Sequence, residues 1–543
     1  MRDFAALLEG LAFTPSRNAK RRLIVDYLDR VPDPARGYGL AALTGELRFR
    51  HVKPAAIREL ITAETDPVLF AWSYDFVGDL AETVALLWPA TRSAGPDPSL
   101  SPPDGPSLDQ VVLAFREAGR AEVPSLIRTW LDELDEGGRH ALLKLVTGGL
   151  RVGVSARLAK TALAEWGQEN INDIEELWHG FDPPYEPIFA WLAGRAERPV
   201  PTEPLLFRPL MLAHPLEPAD RAGLDAQAYR VEYKWDGARV QLACGDGAVR
   251  LYSRAGEDIT AAFPDIAEAG SGLSAVVDGE LLVADPPAGD AGPTVRPFGD
   301  LQQRLNRKRV DARLLREQPA HLRLYDILFE DGRDLRPLPF DMRRQCLEEW
   351  YDRHRPPRMD VSSLLPIADW DTLERLQAEL RGRAIEGLML KRGDSPYLPG
   401  RPKGHWFKWK RAPHTLDCVL MYAQRGHGRR SSLHSDFTFG AWRDDPEGAG
   451  AELVPVGKAY FGFTDAELAE LDRWVQRHTV NRFGPVREVA PALVLEIAFD
   501  SVQRSRRHKS GIAMRFPRIF RIRWDKPAAE ADRLATLEAM LDQ

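Results

Sequence analysis

Cysteine is nearly missing from this chain. Cys244, Cys346 and Cys418 are the three among 543 residues, too far apart for a disulfide framework or for the paired CxxC ligands of a structural zinc. Long apolar runs are missing too, and none approaches the ~18 residues a membrane span needs. No GxxxxGK[ST] loop occurs, so any nucleotide would have to be held without a P-loop. Nor is there an excess of positive charge: 80 acids against 73 Lys and Arg leave a net charge of −7. That total argues against nucleic acid on its face, but phosphate binding is set by local basic surface. Basic clusters do occur, at Asn18 to Arg22, Arg304 to Arg309, Arg504 to Lys509 and Arg515 to Arg523, and any one of them alone reads as a solvated face. The opening MRDFAALLEGLAF carries Asp3 and no small-residue cleavage site, so no secretory signal is expected and the chain is expected in the cytoplasm.

What is present reads as a soluble chain, 44% hydrophobic and 28% charged, long enough for three or four domains at roughly 150 residues each. Up to about residue 200 the apolar spacing is helical, as in PAAIRELITAE, DLAETVALLW, SLDQVVLAFREAG and VSARLAKTALAEW. Ser107 with Gln110 predicts a capping box, and Asn172 or Asp173 can cap INDIEELW. TRSAGPDPSLSPPDG reads as a loop, and PVPTEP near residue 200 as a linker.

Beyond about residue 205 the period changes to two. YRVEYKWDGARVQLAC, GDG and AVRLYSR read as a hairpin, followed by the short strands of a mixed α+β domain that ends near Arg411. After Thr415, about five strands around the helix TDAELAELDRWVQRH suit a small Greek-key barrel of the OB type.

In VEYKWDGARV, Lys234 lies between Tyr233 and Trp235 just before Asp236-Gly237. It is either the polar face of an ordinary strand or a nucleophile, and a lysine used covalently must have its amine deprotonated. Lys408 and Lys410, alternating with Phe407 and Trp409, leave one face of a later strand and are candidate cations for lowering its proton affinity. Glu280 in VVDGELL and Glu386 in AIEGLML sit among apolar neighbours, costly unless paired or metal-bound. Asp278 competes with Glu280, and its plain role is a turn acid before Gly279. Arg239 and Arg254 are guanidinium forks suited to oxygen-rich ligands, or surface arginines on a hairpin. Tyr325 is either a core residue or a stacking platform for a base.

The order EYKWDGAR, LYSRAGEDIT, VVDGELL, RLYDILFEDG, EGLMLKR, HWFKWK, RFPRIFRIRWDK is that of the nucleotidyltransferase motifs of ATP-dependent DNA ligases, which this chain resembles from about residue 205 to its end. The helical part, notably LRVGVSARLAKTAL, looks like the DNA-binding domain of the three-domain ligases. The resemblance implies a multidomain fold: an all-α DNA-binding domain over 1–204, an α+β adenylation domain over 205–412, and an OB-fold barrel over 413–543. It implies that Lys234 attacks the α-phosphate of ATP to form a lysyl-AMP. Glu232 would accept the adenine amino group, Arg239 and Arg254 would contact ribose and phosphate, and Tyr325 would stack on the base. Glu280 and Glu386 would bind Mg²⁺ (or Mn²⁺) or ribose, while Lys408 and Lys410 would contact the α-phosphate. Arg515 and Arg518 would orient the departing pyrophosphate as the barrel swings over the site and away again. Trp235 is expected to be a spacer.

One position departs from the pattern. Several relatives have an arginine six residues before the first lysine of HWFKWK, where this chain has Pro402, and Arg401 or Lys403 can substitute. LQQRLNRKR and VQRSRRHKSG resemble stretches that lie along DNA, fixing register without reading sequence. The implied function is sealing of 5′-phosphate/3′-hydroxyl nicks in duplex DNA during repair, replication or recombination, by a nucleoid-associated monomer that needs no membrane. An RNA ligase or capping guanylyltransferase is a competing reading, though capping enzymes lack a helical domain of this size. An NAD-dependent ligase would need a cysteine zinc site. A non-catalytic nucleic-acid-binding protein with a decayed core would have lost one of Lys234, Glu280, Glu386, Lys408 or Lys410, and all five stand.

Overall fold

The computed structural model describes residues 1–543 apart from 78, 90–104, 202–204, 222, 287–291, 306, 308–309, 367–368, 381–383, 426–432, 445–449, 484–485, 506–507 and 542–543. The predicted loop TRSAGPDPSLSPPDG therefore lies almost wholly outside the described residues, as does the end of PVPTEP. By its internal contacts the chain divides into two units, 1–174 with 181–199 and 413–542, and 175–180 with 200–412.

The N-terminal part of the first unit is helical, from Arg2–Phe13 to Glu186–Leu192. Helix Pro54–Glu64 coincides with PAAIRELITAE and buries Ile57, Leu60 and Ile61 at the expected spacing. Ser107 and Gln110 form the predicted capping box before Leu108–Glu117. INDIEELW forms helix Ile171–Trp178, but its cap is Asn170, whose side-chain oxygen accepts from the Asn172 amide at 2.9 Å. The cap needs extended backbone just ahead of the helix, whereas residues 172 and 173 already lie within its first turn. Within the basic cluster at Asn18 to Arg22, Lys20 is buried and donates to the Val152 carbonyl.

The C-terminal part of this unit is richer in strands than expected. Strands β13 (His414–Arg425), β14 (His434–Asp444), β15 (Ala451–Ala459), β16 (Thr479–Phe483), β17 (Val486–Val489), β18 (Val494–Phe499) and β21 (Arg518–Arg523) form one sheet, and β19 (Ser501–Arg504) with β20 (Ile512–Arg515) a ribbon. Nine strands among the described residues replace the expected five, because β13 is long enough to pair β14 on one side and both β18 and β17 on the other. The predicted helix is Asp465–His478, with Thr464 and Glu467 as its capping box. Leu420, Phe437, Val456, Leu471 and Ile497 are among the apolar residues that fill the core.

The second unit contains two sheets. The seven-stranded one has the order β4 (Ala248–Ser253), β3 (Ala238–Gly245), β5 (Ala275–Asp285), β7 (Ala320–Glu330), β8 (Arg333–Asp334), with β6 (Thr294–Val295) on β5 and β9 (Met359–Val361) on β7. The five-stranded one runs β1 (His214–Pro215), β12 (Trp406–Lys410), β11 (Ile385–Arg392), β2 (Tyr229–Trp235), β10 (Leu364–Leu365). The predicted hairpin β3–β4 is present, closed at Asp246-Gly247. YRVEYKWDGARVQLAC, however, is two strands in different sheets. The break falls at Asp236-Gly237, where a Cβ on Gly237 would lie 2.5 Å from the Leu281 carbonyl oxygen, so the crossing closes only without a side chain.

Candidate active site

Register aligns the charged residues of the five-stranded sheet. Lys234 and Lys410 both pair with Gly387 of β11, while Glu232 and Lys408 both pair with Met389. Directly opposed residues share a face, so Glu232, Lys234, Lys408 and Lys410 leave the sheet on one side. A β-bulge between Ile385 and Gly387 sets Glu386 outside the regular pairing with β2. Its Oε2 lies 2.6 Å from Lys234 Nζ and 3.4 Å from Lys410 Nζ.

These contacts set the protonation of the cluster. Burial pushes the Glu386 carboxyl up, but the charge and hydrogen bond of Lys234, and then Lys410, outweigh it and hold the group at about 2. Lys408 is pushed down, first by burial and then by the charges of Arg401, Lys410, Lys234 and Arg254. The cationic neighbourhood expected around Lys234 therefore exists, yet its direct partner is a carboxylate. The sequence alone placed Glu386 on an ordinary strand and could not register the bulge.

Across the seven-stranded sheet, Arg239, Glu280 and Arg323 form one row and Gln241, Asp278 and Asp326 another. Burial pushes Glu280 up to about 7; Lys234 and Arg239 pull it down, while Glu386 and Asp236 add to the rise. Asp278 is fully buried in mid-strand. It accepts from Arg239 Nη2 at 2.7 Å, Tyr397 OH at 2.5 Å and Gln241 Nε2 at 3.1 Å. It is thus neither a turn acid nor an open ligand but the anchor of Arg239, whose Nη1 also donates to the Met211 carbonyl at 2.7 Å. So held, the Arg239 guanidinium lies 5.8 Å from the Tyr325 ring centre.

Glu232 is buried, with Oε1 at 3.1 Å from Lys391 Nζ and 3.7 Å from Arg344 Nη1. Burial pushes Glu232 up and Lys391 down, and the ion pair opposes both shifts. Lys391 Nζ also lies 4.4 Å from the Tyr325 ring centre. Neither Lys391 nor Arg344 was foreseen as part of this cluster. Lys391 stands in the quoted EGLMLKR and could have been found by its alternation with Met389, whereas Arg344 arrives from helix Phe340–His354 with no local signal.

Trp235 is not a spacer. Its Nε1 donates to Ser362 Oγ at 3.3 Å, and the Arg323 guanidinium sits 4.1 Å over its ring. Arg254 and Arg401 are exposed, and among the described residues neither side chain has a hydrogen bond or ion pair. In the C-terminal part, Arg518 pairs with Asp500 at 3.5 Å and Arg515 lies 5.1 Å from the Phe516 ring centre.

Of the DNA-like stretch LQQRLNRKR, Arg304 is fully buried and grips Asp265 through both Nη atoms, at 2.7 and 2.8 Å, so it offers nothing to a phosphate. Arg307 is exposed, while Lys308 and Arg309, like Arg506 and Arg507 of the second stretch, lie outside the described residues.

No cluster of three or more His, Cys, Asp or Glu side chains arranged to hold a metal occurs among the described residues. Mg²⁺ needs no such cage, because one or two carboxylates with water and substrate phosphates complete its shell. Glu386, and Glu280, which feels the charges of both Glu386 and Lys234, fit that requirement. Together the groups can hold a polyanion between cations, with an amine poised at its centre.

Similarity to known proteins agrees with this chemistry. The family described as ATP dependent DNA ligase domain matches residues 210–410, and the ATP dependent DNA ligase C terminal region matches 430–526. A probable DNA ligase of Koribacter versatilis (strain Ellin345) is 31% identical, covering 99% of this chain and 96% of its own length. One from Anaeromyxobacter sp. (strain Fw109-5) is 34% identical over 98% and 96% of the two chains. The solved chain Pmar-Lig_PreS3 superposes with a TM-score of 0.58 at 15% identity, over 96% of this chain and 99% of its own, a likeness of fold.

Proposed function

From the premise that the chain belongs to the ATP-dependent DNA ligases and is a DNA ligase (ATP), we propose that it seals 5′-phosphate/3′-hydroxyl nicks in duplex DNA through a lysyl-AMP on Lys234. The observation that carries this reading is the Lys234–Glu386 pair at 2.6 Å, faced by Lys408 and Lys410. Lys234 Nζ attacks the α-phosphorus of ATP; the P–N bond forms, the P–O bond to pyrophosphate breaks, and the amine proton leaves to water or the departing pyrophosphate while Glu386, 2.6 Å away, holds the amine in place. The ionised state of Glu386 supports a positioning role toward the amine.

Lys408 and Lys410 neutralise charge developing on the α-phosphate. Glu232 accepts the adenine amino group, Tyr325 stacks on the base, and Arg239, Arg254 and Arg401 contact ribose and phosphate, Arg401 in place of the arginine missing at Pro402. Glu280 and Glu386 are the residues that would hold Mg²⁺ or Mn²⁺, which when bound supplies charge neutralisation at the phosphates. In the later steps AMP passes to the DNA 5′-phosphate and is released as the phosphodiester forms.

The three-domain division at 204 and 412 belongs to this reading, as does an OB-type barrel in the C-terminal part that brings Arg515 and Arg518 to the pyrophosphate. So does a monomer working on nicked DNA in the cytoplasm, in repair, replication or recombination.

Incubation with labelled ATP, GTP or NAD followed by a denaturing gel tests it. Label is expected from ATP alone and not in Lys234→Ala; label retained by that variant would sink the proposal.

A further inference from the structure

One stretch of the helical sequence takes part in the second unit without a role in the chemistry above. Residues 175–180, which include the end of helix Ile171–Trp178, group with 200–412. Glu176 accepts Arg208 Nη1 on Oε1 at 2.6 Å and Arg336 Nη1 on Oε2 at 2.8 Å, and both guanidinium groups lie over the Phe329 ring. His179 meets Phe207 edge to face at 4.9 Å.

His179 also packs on the turn that carries Arg254. That turn is closed by Ser253 N to Glu257 O and Gly256 N to Ser253 O, both 2.9 Å. Gly256 has φ +81°, and a Cβ there would fall 2.5 Å from His179 Cε1 and 3.0 Å from Phe207 Cδ1. The imidazole thus presses directly on the turn backbone. The Arg254 side chain has no hydrogen bond or ion pair among the described residues, so the turn backbone sets the point from which its guanidinium reaches.

A second line runs from Glu176. Arg208, which it holds, donates its backbone N–H to Gln241 Oε1 at 2.6 Å; Gln241 Nε2 donates to Asp278, and Asp278 holds Arg239. Gln241 and Asp278 at the middle of this row are fully buried, so their hydrogen bonds are made to protein groups, and moving one partner shifts the next.

We propose that His179 and Glu176 are positioning residues for the nucleotide site, His179 by bracing the Arg254 turn and Glu176 by fixing Arg208 at the head of the row that ends on Arg239. Neither touches the nucleotide. The proposal rests on the reading of Arg254 and Arg239 as nucleotide contacts. A guanidinium displaced by about 1 Å loses most of its value to a bound phosphate, so the defect belongs in KM for ATP.

The test is the ATP dependence of self-adenylation in the full chain. His179→Ala is expected to raise KM about tenfold with the maximal rate within about twofold, and His179→Phe, which keeps a ring against Phe207 and Gly256, to restore most of it. In the double variant His179→Ala/Arg254→Ala, KM should be no higher than in Arg254→Ala alone, since both act through one contact. Should His179→Ala fail to fold, His179→Phe and the isosteric Glu176→Gln carry the test, with Glu176→Gln raising KM severalfold.

An unchanged KM in His179→Ala or Glu176→Gln, a KM in His179→Phe no better than in His179→Ala, or additive effects in the double variant, overturns the inference. If Arg254→Ala raises KM while His179→Ala does not, the inference alone fails. If Arg254→Ala leaves KM unchanged, the reading of Arg254 fails first.

Discussion

The two sheets of the second unit carry the same kinds of charged residue, and around Lys234 on one and Asp278 on the other they treat them in opposite ways. On the five-stranded sheet, Lys234 and Glu386 keep 23% and 20% of their side-chain surface open, and Lys410 keeps 43%. On the seven-stranded sheet, Asp278 and Asp326 are closed off, with Asp326 gripped by the equally buried Arg343 at 2.9 and 3.0 Å. The contrast is sharpest for the carboxylates Glu386 and Glu280. Both are desolvated and both feel Lys234, yet one is held at about 2 and the other pushed up to about 7. A cation in hydrogen-bond contact outweighs burial, and a cation at longer range does not. Around Lys234 the charged groups are thus paired but reachable, and around Asp278 and Asp326 they are paired and sealed.

Breaking the open pair should have the largest effect. Glu386→Gln leaves Lys234 without its anion and is expected to slow self-adenylation about 10²- to 10³-fold, more than Glu280→Gln. Equal losses, read from label incorporated per minute, would erase the distinction between the two carboxylates.

The sealed side should answer in stability. Arg304→Met leaves Asp265 buried and uncompensated, although Asp265 Oδ2 still accepts from the Ala320 amide at the start of β7. A loss of about 3 to 5 kcal/mol is expected in urea unfolding. The salt dependence of DNA binding should stay as it was, and a shallower slope would return Arg304 to the DNA surface.

A smaller effect is expected from acid. Burial pushes the Asp360 carboxyl up, but hydrogen bonds from Arg323 and His321 outweigh it and hold it at about 2. Its folded pKa lies below its unfolded one, so its contribution, ~1 to 2 kcal/mol, is full above the ordinary carboxylate value and lost as the pH falls through about 2. Asp360→Asn should be less stable than the parent at neutral pH, with the gap closing in acid; a constant gap would mean that charge is not the cause.

The smallest change is Trp235→Phe. It removes the hydrogen bond to Ser362 but keeps a ring beneath Arg323, at a cost of about 1 kcal/mol in thermal or urea unfolding. No measurable cost would reinstate Trp235 as a spacer.

Periodicity carried most of what could be read from the sequence. PAAIRELITAE became Pro54–Glu64 because the apolar face that gives a helix its pattern is the face it buries. The Ser107–Gln110 box formed because capping is local. Motif order brought Glu232, Lys234, Glu386, Lys408 and Lys410 into view, and register then set four of them on one face of one sheet. Partners distant in sequence were not legible. Arg304 looked like part of a basic run because nothing near it announces Asp265, and the strand containing YKW looked continuous with ARVQLAC because alternation does not say to which sheet a strand belongs.

By itself, then, the sequence determined the kinds of element, the nucleotidyltransferase motifs and the residue types able to act on a phosphate, all encoded in neighbours a few positions apart. Tertiary structure alone decided that Lys234 rests against a carboxylate, that Arg239 is anchored by Asp278, and which of two similar acids is pushed up and which is held down. Those outcomes depend on charges and burial contributed by residues 39 and 152 positions apart, and Coulomb forces and desolvation act through space rather than along the chain.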